Sequence, residues 1–188
     1  MPLSIPVPRE PIHTRHIECR GYHRADGFWD IEGHLTDTKT YPFQNEWRGE
    51  LPPGEPLHEM WLRITVDDTL TIHAVEAVTD HSPFRICPEI TGNFQRLVGL
   101  AIGPGFTRKL KERVGGVEGC THLVELMGPI ATTAFQTIAP LRAKAMAANP
   151  DARPALLDTC HAFSSDGEIV GKAYPRFYTG TSREGGPG

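Results

Sequence analysis

A cysteine and a histidine separated by one residue form the most suggestive local motif of the chain. Cys120 and His122 lie in the stretch GCTHLVE, residues 119–125, which follows a glycine-rich turn and opens a predicted helix. The partial positive charge and the free N–H groups of a helix N-terminus stabilise a nearby thiolate and attract anions. Cys120 could therefore be a nucleophile, or a metal ligand completed by His122. Helix capping and packing would produce the same pattern, so the sequence leaves these alternatives open.

A second set of candidate residues lies in a predicted N-terminal β-hairpin. Asp26-Gly27 is a favoured two-residue hairpin turn, and the residues after it alternate between apolar and polar. In the register that this turn predicts, Cys19 faces His34. One face of the hairpin then carries a cluster of polar side chains: Cys19, His23, Asp30, Glu32 and His34. Histidines and carboxylates on one rigid face suit a zinc or iron site, although the solvent side of any amphipathic hairpin is also polar.

A histidine and a glutamate are predicted on the apolar face of the next hairpin. A three-residue loop at residues 67–69 aligns the apolar faces of its two strands, whereas a two-residue loop puts them out of step. His58 and Glu76 then become diagonal neighbours at the open end of this face. A carboxyl group on an apolar surface needs a polar partner, and such acids often serve as general acids or bases. A structural histidine–glutamate pair would give the same pattern.

The elements around these residues predict an α+β fold. The two hairpins are followed by apolar residues at helical spacing in residues 88–101, a short basic helix over residues 107–114 and a third helix over residues 120–140. A third hairpin is predicted around the turn residues 165–167. We therefore expect antiparallel β-hairpins that form a sheet or partial barrel, packed against about three helices.

The chain is expected to form one domain with two poorly packed ends. Residues 1–11 are predicted to be an extended N-terminal arm and residues 12–179 a single α+β domain. Residues 180–188 are predicted to be a disordered tail, because they contain too few apolar residues to pack. The stretch 41–56 has no periodic pattern, and a loop of this length could be a lid, a binding loop or a packed surface loop.

Composition argues against several classes of protein. The chain has 188 residues and a formal net charge of −4, without a Lys/Arg-rich run, which disfavours binding to nucleic acid or to an anionic membrane. No apolar stretch reaches the roughly 18 residues of a membrane span, and no signal-peptide pattern is present, so we expect a cytoplasmic protein. The 4 cysteines form no CxxC pair. Nucleotide-binding, GxSxG and HExxH motifs are absent, so no nucleotide cofactor is expected.

Three motifs link the chain to a known family. The stretches RGYHRADGFWDIEGHL at residues 20–35, LHEM at residues 57–60 and GCTHL at residues 119–123 together resemble a bacterial family of unknown function, DUF2889. The resemblance runs from about residue 14 to residue 178. It supports the domain limits, but the family brings no established activity, fold or catalytic residues with it.

From these residues we expect a small enzyme that uses a transition metal, zinc or iron, in a hydrolytic or lyase step on an organic acid, an aromatic compound or an acyl compound. The predicted metal ligands are His34, His58, Cys120 and His122, and the predicted general base is Glu76 or Glu32. One alternative is a metal-free enzyme with Cys120 as nucleophile and a histidine as base. Another is a non-catalytic binding or accessory module whose loop at residues 41–56 closes over a ligand. The expected partner is a small-molecule substrate, and the sequence also allows a homo-oligomer.

Overall fold

The computed structural model describes residues 3–149 and 151–180 of the chain. Its strands are β1 (His13–His23), β2 (Trp29–Lys39), β3 (Phe43–Asn45), β4 (Gly49–Leu51), β5 (Pro56–Val66) and β6 (Ile72–His81). Its α-helices are α1 (Phe106–Val114), α2 (Thr121–Ala148) and α3 (Glu168–Ala173). The α+β architecture predicted from the sequence is therefore confirmed. The chain divides into two compact units, residues 1–139 and residues 140–188.

Four strands form the main sheet of the first unit, in the order β1-β2-β5-β6, and all neighbouring pairs are antiparallel. Side chains alternate between the two faces of a strand, so the apolar residues decide which face is buried. Ile31 and Leu35 on β2 share the buried face with Met60, Leu62 and Ile64 on β5, and all of them are at most 1% exposed. The other face of these strands is polar and is called the open face below.

The turn of the first hairpin is longer than the two-residue turn predicted at Asp26-Gly27. Five residues, 24–28, connect β1 to β2. The longer turn shifts the register by one residue, so that Cys19 lies opposite Gly33 rather than opposite His34. Because successive residues point to opposite faces, this shift divides the predicted polar cluster. The open face carries Asp30, Glu32 and His34, whereas Cys19 and His23 lie on the buried side of the sheet.

The loop between β5 and β6 is also longer than predicted, with five residues, 67–71, in place of three. The ladder is irregular at the start of β6, where the extra residue His73 reverses the alternation of the strand. Arg63 is consequently paired with Glu76, and the two side chains form an ion pair of 3.2 Å on the open face. The predicted contact between His58 and Glu76 is therefore wrong.

Helix α2 packs closely against the first two strands of the sheet. A Cβ atom on Gly33 would come within 2.7 Å of the Ile130 side chain, and one on Gly21 would collide with Thr137. Glycine at these strand positions thus lets the helix approach the sheet backbone. The helix extends over 28 residues and runs through Pro140, so its predicted end there is wrong. A proline removes one backbone hydrogen bond, and the helix continues past it although its last buried residue is Ile138.

The remaining helical segments of the first unit complete its core. The predicted short basic helix is confirmed as α1. The helical pattern of residues 88–101 does not give an α-helix; instead, Cys87–Leu97 form 3₁₀ turns. Both segments contribute buried apolar side chains: Phe94, Leu97, Phe106, Leu110 and Val114. None of the helices within the described residues combines the length and the apolar character that a membrane crossing needs.

The stretch 41–56, predicted to be a long loop, contains a small hairpin formed by β3 and β4. Leu51 is fully buried, which anchors this hairpin. The Gly54 N–H donates to the Lys39 carbonyl at 2.9 Å, and the Arg48 guanidinium donates to the Pro56 carbonyl at 2.7 Å. These bonds hold the small hairpin beside the end of β2 and the start of β5.

The second unit contains helical turns where a third hairpin was predicted. Residues 161–163 and 175–177 form 3₁₀ turns, and α3 begins directly after Gly167. Glycine is accepted at a helix N-cap and an acidic residue, Glu168, occupies the first turn, which favours a helix over a strand. At the chain ends, residues 3–11 contain neither helix nor strand, and the predicted disordered tail lies, apart from Gly180, outside the described residues.

Candidate metal centre

A buried carboxylate forms the middle of the candidate site. Asp37 on β2 is only 1% exposed. Arg15 donates from Nε to Oδ1 and from Nη2 to Oδ2, in both cases at 2.8 Å. His13 Nε2 lies 3.0 Å from Oδ1, and His58 Nδ1 lies 3.0 Å from Oδ2. Each carboxylate oxygen therefore has two nitrogen neighbours, which accounts for the lone pairs that a buried carboxylate must satisfy.

The strand register positions this group of side chains. Asp37 is directly opposite Arg15 on β1 and directly opposite His58 on β5. Directly opposed residues have Cβ atoms about 4.5–5.5 Å apart, so the Asp37 carboxylate reaches both neighbours without any loop. His13 is two residues before Arg15 and shares its face of β1. The buried face of the sheet, which is apolar along most of its length, thus ends in a polar cluster.

The third part of the site comes from the first turn of α2. His122 Nε2 lies 3.8 Å from Asp37 Oδ2, and the rings of His58 and His122 are 3.8 Å apart with an interplanar angle of 33°. One ligand atom from each of the three residues lies within 4.8 Å of the other two. Metal–ligand bonds of roughly 2.1 Å place neighbouring ligand atoms about 3–3.5 Å apart. Small side-chain rotations would therefore bring all three atoms onto one ion.

The electrostatics of the cluster favour a ligating state of its members. Burial opposes ionisation of Asp37, but hydrogen bonds from Arg15 and His13 outweigh it and lower the pKa of Asp37 to about 2. Burial and the neighbouring His122 ring lower the pKa of His58 to about 4, against the attraction of Asp37. Burial and Arg15 also lower the pKa of His122. At neutral pH the site thus offers one carboxylate and two uncharged imidazoles, the protonation states that metal binding requires.

Cys120 contacts the ring nitrogen of His122 that does not face Asp37. Its Sγ atom is 3.9 Å from His122 Nδ1 and 3.9 Å from Met60 Sδ. Since the Nε2 edge of the same ring faces Asp37, the thiol contacts the site through His122. Glu125, one helical turn further along α2, accepts a hydrogen bond of 2.6 Å from Arg15. The start of α2 therefore contributes His122 directly and Cys120 and Glu125 as neighbours.

The other predicted site residues lie on the open face, away from this cluster. His34 stacks on Trp61, with ring centroids 3.6 Å apart, and its Nε2 lies 3.1 Å from the Glu59 carboxylate. Glu32 accepts a hydrogen bond of 3.0 Å from Arg63, which also pairs with Glu76. The structure thus brings together His58, His122 and Cys120. It does not bring His34, Glu32 or Glu76 to them, because those three side chains extend from the opposite face of the sheet.

A model of one protein family matches this part of the chain. The match covers residues 13–136 and carries the description of a protein of unknown function, DUF2889. The chain belongs to the DUF2889 family. The matched segment is shorter than the stretch from about residue 14 to residue 178 over which the motifs suggested the resemblance. Neither the search of curated proteins nor the search of solved structures gave a match.

The DUF2889 segment contains the complete candidate site, from His13 on β1 to Glu125 on α2. Reasoning from the sequence missed Asp37, Arg15 and His13, although a usable signal was present. Along β2 the buried positions recur every second residue at Ile31, Gly33 and Leu35, and the next position of that series is Asp37. A carboxylate at the next position of a buried apolar series indicates a candidate site residue. His58, which stands on the apolar face of β5, was found from the same kind of pattern.

Proposed function

We propose that this DUF2889 protein is a metal-dependent enzyme whose ion, zinc or iron, is held by Asp37, His58 and His122. The observation that carries the proposal is the convergence of a buried carboxylate and two uncharged imidazoles from three separate elements, β2, β5 and α2. Two histidines and one carboxylate are a ligand set typical of catalytic zinc and of non-haem iron. A set of three protein ligands leaves coordination positions for water and substrate.

A metal in this position would supply Lewis acidity or an activated water molecule, which suits a hydrolytic or lyase step on an organic acid or acyl compound. Arg15 and His13 would orient the metal-binding carboxylate, as outer hydrogen-bond partners do in metalloenzymes. Asp37 and His58 would hold the ion with little rearrangement, because their Oδ2 and Nδ1 atoms already lie 3.0 Å apart.

The test is the metal content of untagged protein. We expect about one zinc or iron ion per chain in the wild type, and its loss in the His58→Ala and His122→Ala variants. The matched control is His16→Ala, which removes an exposed histidine of β1. A wild-type protein that stays metal-free after incubation with zinc or iron(II), or variants that keep their metal, would contradict the proposal.

A second candidate function rests on the contact between Cys120 Sγ and His122 Nδ1 at 3.9 Å. In this alternative the thiol is the nucleophile and the imidazole accepts its proton. The Cys120→Ala variant separates the two functions, because a metal enzyme keeps its ion without the thiol, whereas a cysteine-dependent enzyme loses all activity. Labelling with iodoacetamide across a pH series adds an independent measure of the reactivity of Cys120.

A further inference from the structure

A half-buried lysine lies next to the candidate metal centre without an acidic partner. Lys39 follows Asp37 by two residues on β2 and is directly opposite His13, so it extends from the same face of the sheet. Two residues of a strand span about 6.7 Å. Among the described residues, Lys39 takes part in a hydrogen bond with Tyr41 but in no ion pair with a carboxylate, so its ammonium group has no acidic side chain in direct contact.

The surroundings of this ammonium group form a small aromatic site. Lys39 Nζ donates to Tyr41 Oη at 3.0 Å and lies 5.1 Å from the centre of the Tyr41 ring and 5.6 Å from the centre of the Phe43 ring. The hydrogen bond from Gly54 to the Lys39 carbonyl ties the strand to the small hairpin next to it. One cation and one hydroxyl group are thus held together beside two apolar rings.

The charge balance around the metal centre also favours an anionic ligand. The positive charges of Arg15 and Lys39 balance the negative charges of Asp37 and Glu125. The addition of a divalent metal ion would leave this end of the sheet with a net charge of about +2, and a site of one sign raises the local concentration of ligands of the other sign.

We propose that Lys39 and Tyr41 bind the carboxylate of an organic-acid substrate, with the Tyr41 and Phe43 rings beside its apolar part and its reacting group at the metal. This inference rests on the proposed function, since it names the substrate class of the same site. Lys39 thereby determines specificity and takes no part in the chemical step. The two rings beside the ammonium group favour an acid with an aromatic or other apolar body.

The experiment uses 4-hydroxybenzoate as the probe and 4-hydroxybenzamide as its uncharged analogue. Both are titrated by calorimetry into metal-loaded wild-type protein and into the Lys39→Met variant, which keeps the apolar stem but removes the charge. The matched control is Lys109→Met, on the exposed side of α1. We expect 4-hydroxybenzoate to bind the wild type and the control equally and to bind Lys39→Met at least about tenfold more weakly, because a charge-assisted hydrogen bond is lost. The amide should bind all three proteins weakly.

Metal content measured on the same samples keeps the two proposals apart. If Lys39→Met retains its metal and loses the probe, both proposals are supported. Equal binding of 4-hydroxybenzoate to Lys39→Met and to the wild type, or no binding to the metal-loaded wild type, would overturn the role of Lys39 and leave the metal centre untouched. If the wild type holds no metal, the proposed function fails, while binding of the probe that depends on Lys39 would still support a carboxylate site.

Discussion

His58 Nδ1 lies 3.0 Å from Asp37 Oδ2, and the two residues are directly opposed on the neighbouring strands β5 and β2. Their contact is therefore set by the sheet ladder itself and does not depend on the conformation of a loop. Rigid strands hold side chains more precisely than loops do, which is what a metal or catalytic site requires. Only His122 depends on how another element, α2, packs against the sheet.

The carboxylate of Asp37 should stabilise the fold even without a metal. In chelator-treated protein, we expect Asp37→Asn to lower the free energy of unfolding by about 1.5–3 kcal/mol, since an amide cannot replace the charged acceptor for Arg15 and the two histidines. Urea denaturation measures this value. The control is Glu125→Gln, which alters an exposed partner of the same arginine and should cost less than about 1 kcal/mol. Equal effects of both variants would show that burial of Asp37 adds nothing.

Metal binding should stabilise the folded chain in a manner that depends on His122. At a zinc concentration one hundred times the dissociation constant, we expect the free energy of unfolding of the wild type to rise by about 2.7 kcal/mol, because the unfolded chain lacks the assembled site. His122→Ala should show no rise under the same conditions. Thermal denaturation with and without zinc, followed by a chelator, checks both values, and a similar rise in the variant would place the ion elsewhere.

The close packing of α2 on β1 should make Gly21 intolerant of a side chain. A Cβ atom there would collide with Thr137, so we expect Gly21→Ala to destabilise the protein by about 1–3 kcal/mol. Gly92→Ala is the control, since Gly92 is exposed, has no positive φ, and has nothing within 4 Å of its Cβ position apart from its chain neighbours. That variant should be more stable than the wild type by about 0.4–1 kcal/mol. Chemical denaturation compares the unfolding free energies of the two variants. A Gly21→Ala variant as stable as the wild type would show that α2 can move away from β1.

Asp67 in the loop before β6 should make the stability of the protein depend on pH in acid. Burial opposes its ionisation, but hydrogen bonds from Thr69 and His73 and from the Thr71 N–H lower the pKa of Asp67 to about 2 from its ordinary value of 3.8. Since the folded pKa is the lower one, the stabilisation is fully present above pH 3.8 and is lost as the pH falls through about 2. The difference in unfolding free energy between the wild type and Asp67→Asn should therefore shrink over that range. Urea denaturation at several pH values measures the difference, and one that stays constant would contradict this assignment.

The faces of β2 and β5 could be predicted from the sequence, because apolar residues alternate regularly along each of these two strands. His58 was placed correctly on the buried face in this way, and the same series along β2 would have placed Asp37 there. The register between strands could not be predicted, since it depends on loop length and on one extra residue in β6. In each hairpin, an error of one residue placed a side chain on the wrong face of the predicted sheet: Cys19 in the first hairpin and Glu76 in the second.

The sequence by itself determined the α+β class, the family, and the candidate residues His58, Cys120 and His122, because those depend on local patterns and motifs. The tertiary structure alone decided that His122 meets Asp37 and that His34, Glu32 and Glu76 lie elsewhere. The physical reason is the length of chain between these groups. A contact between residues 37 and 122 forms only when α2 packs on β1 and β2 through Gly21 and Gly33, and no local preference specifies that packing.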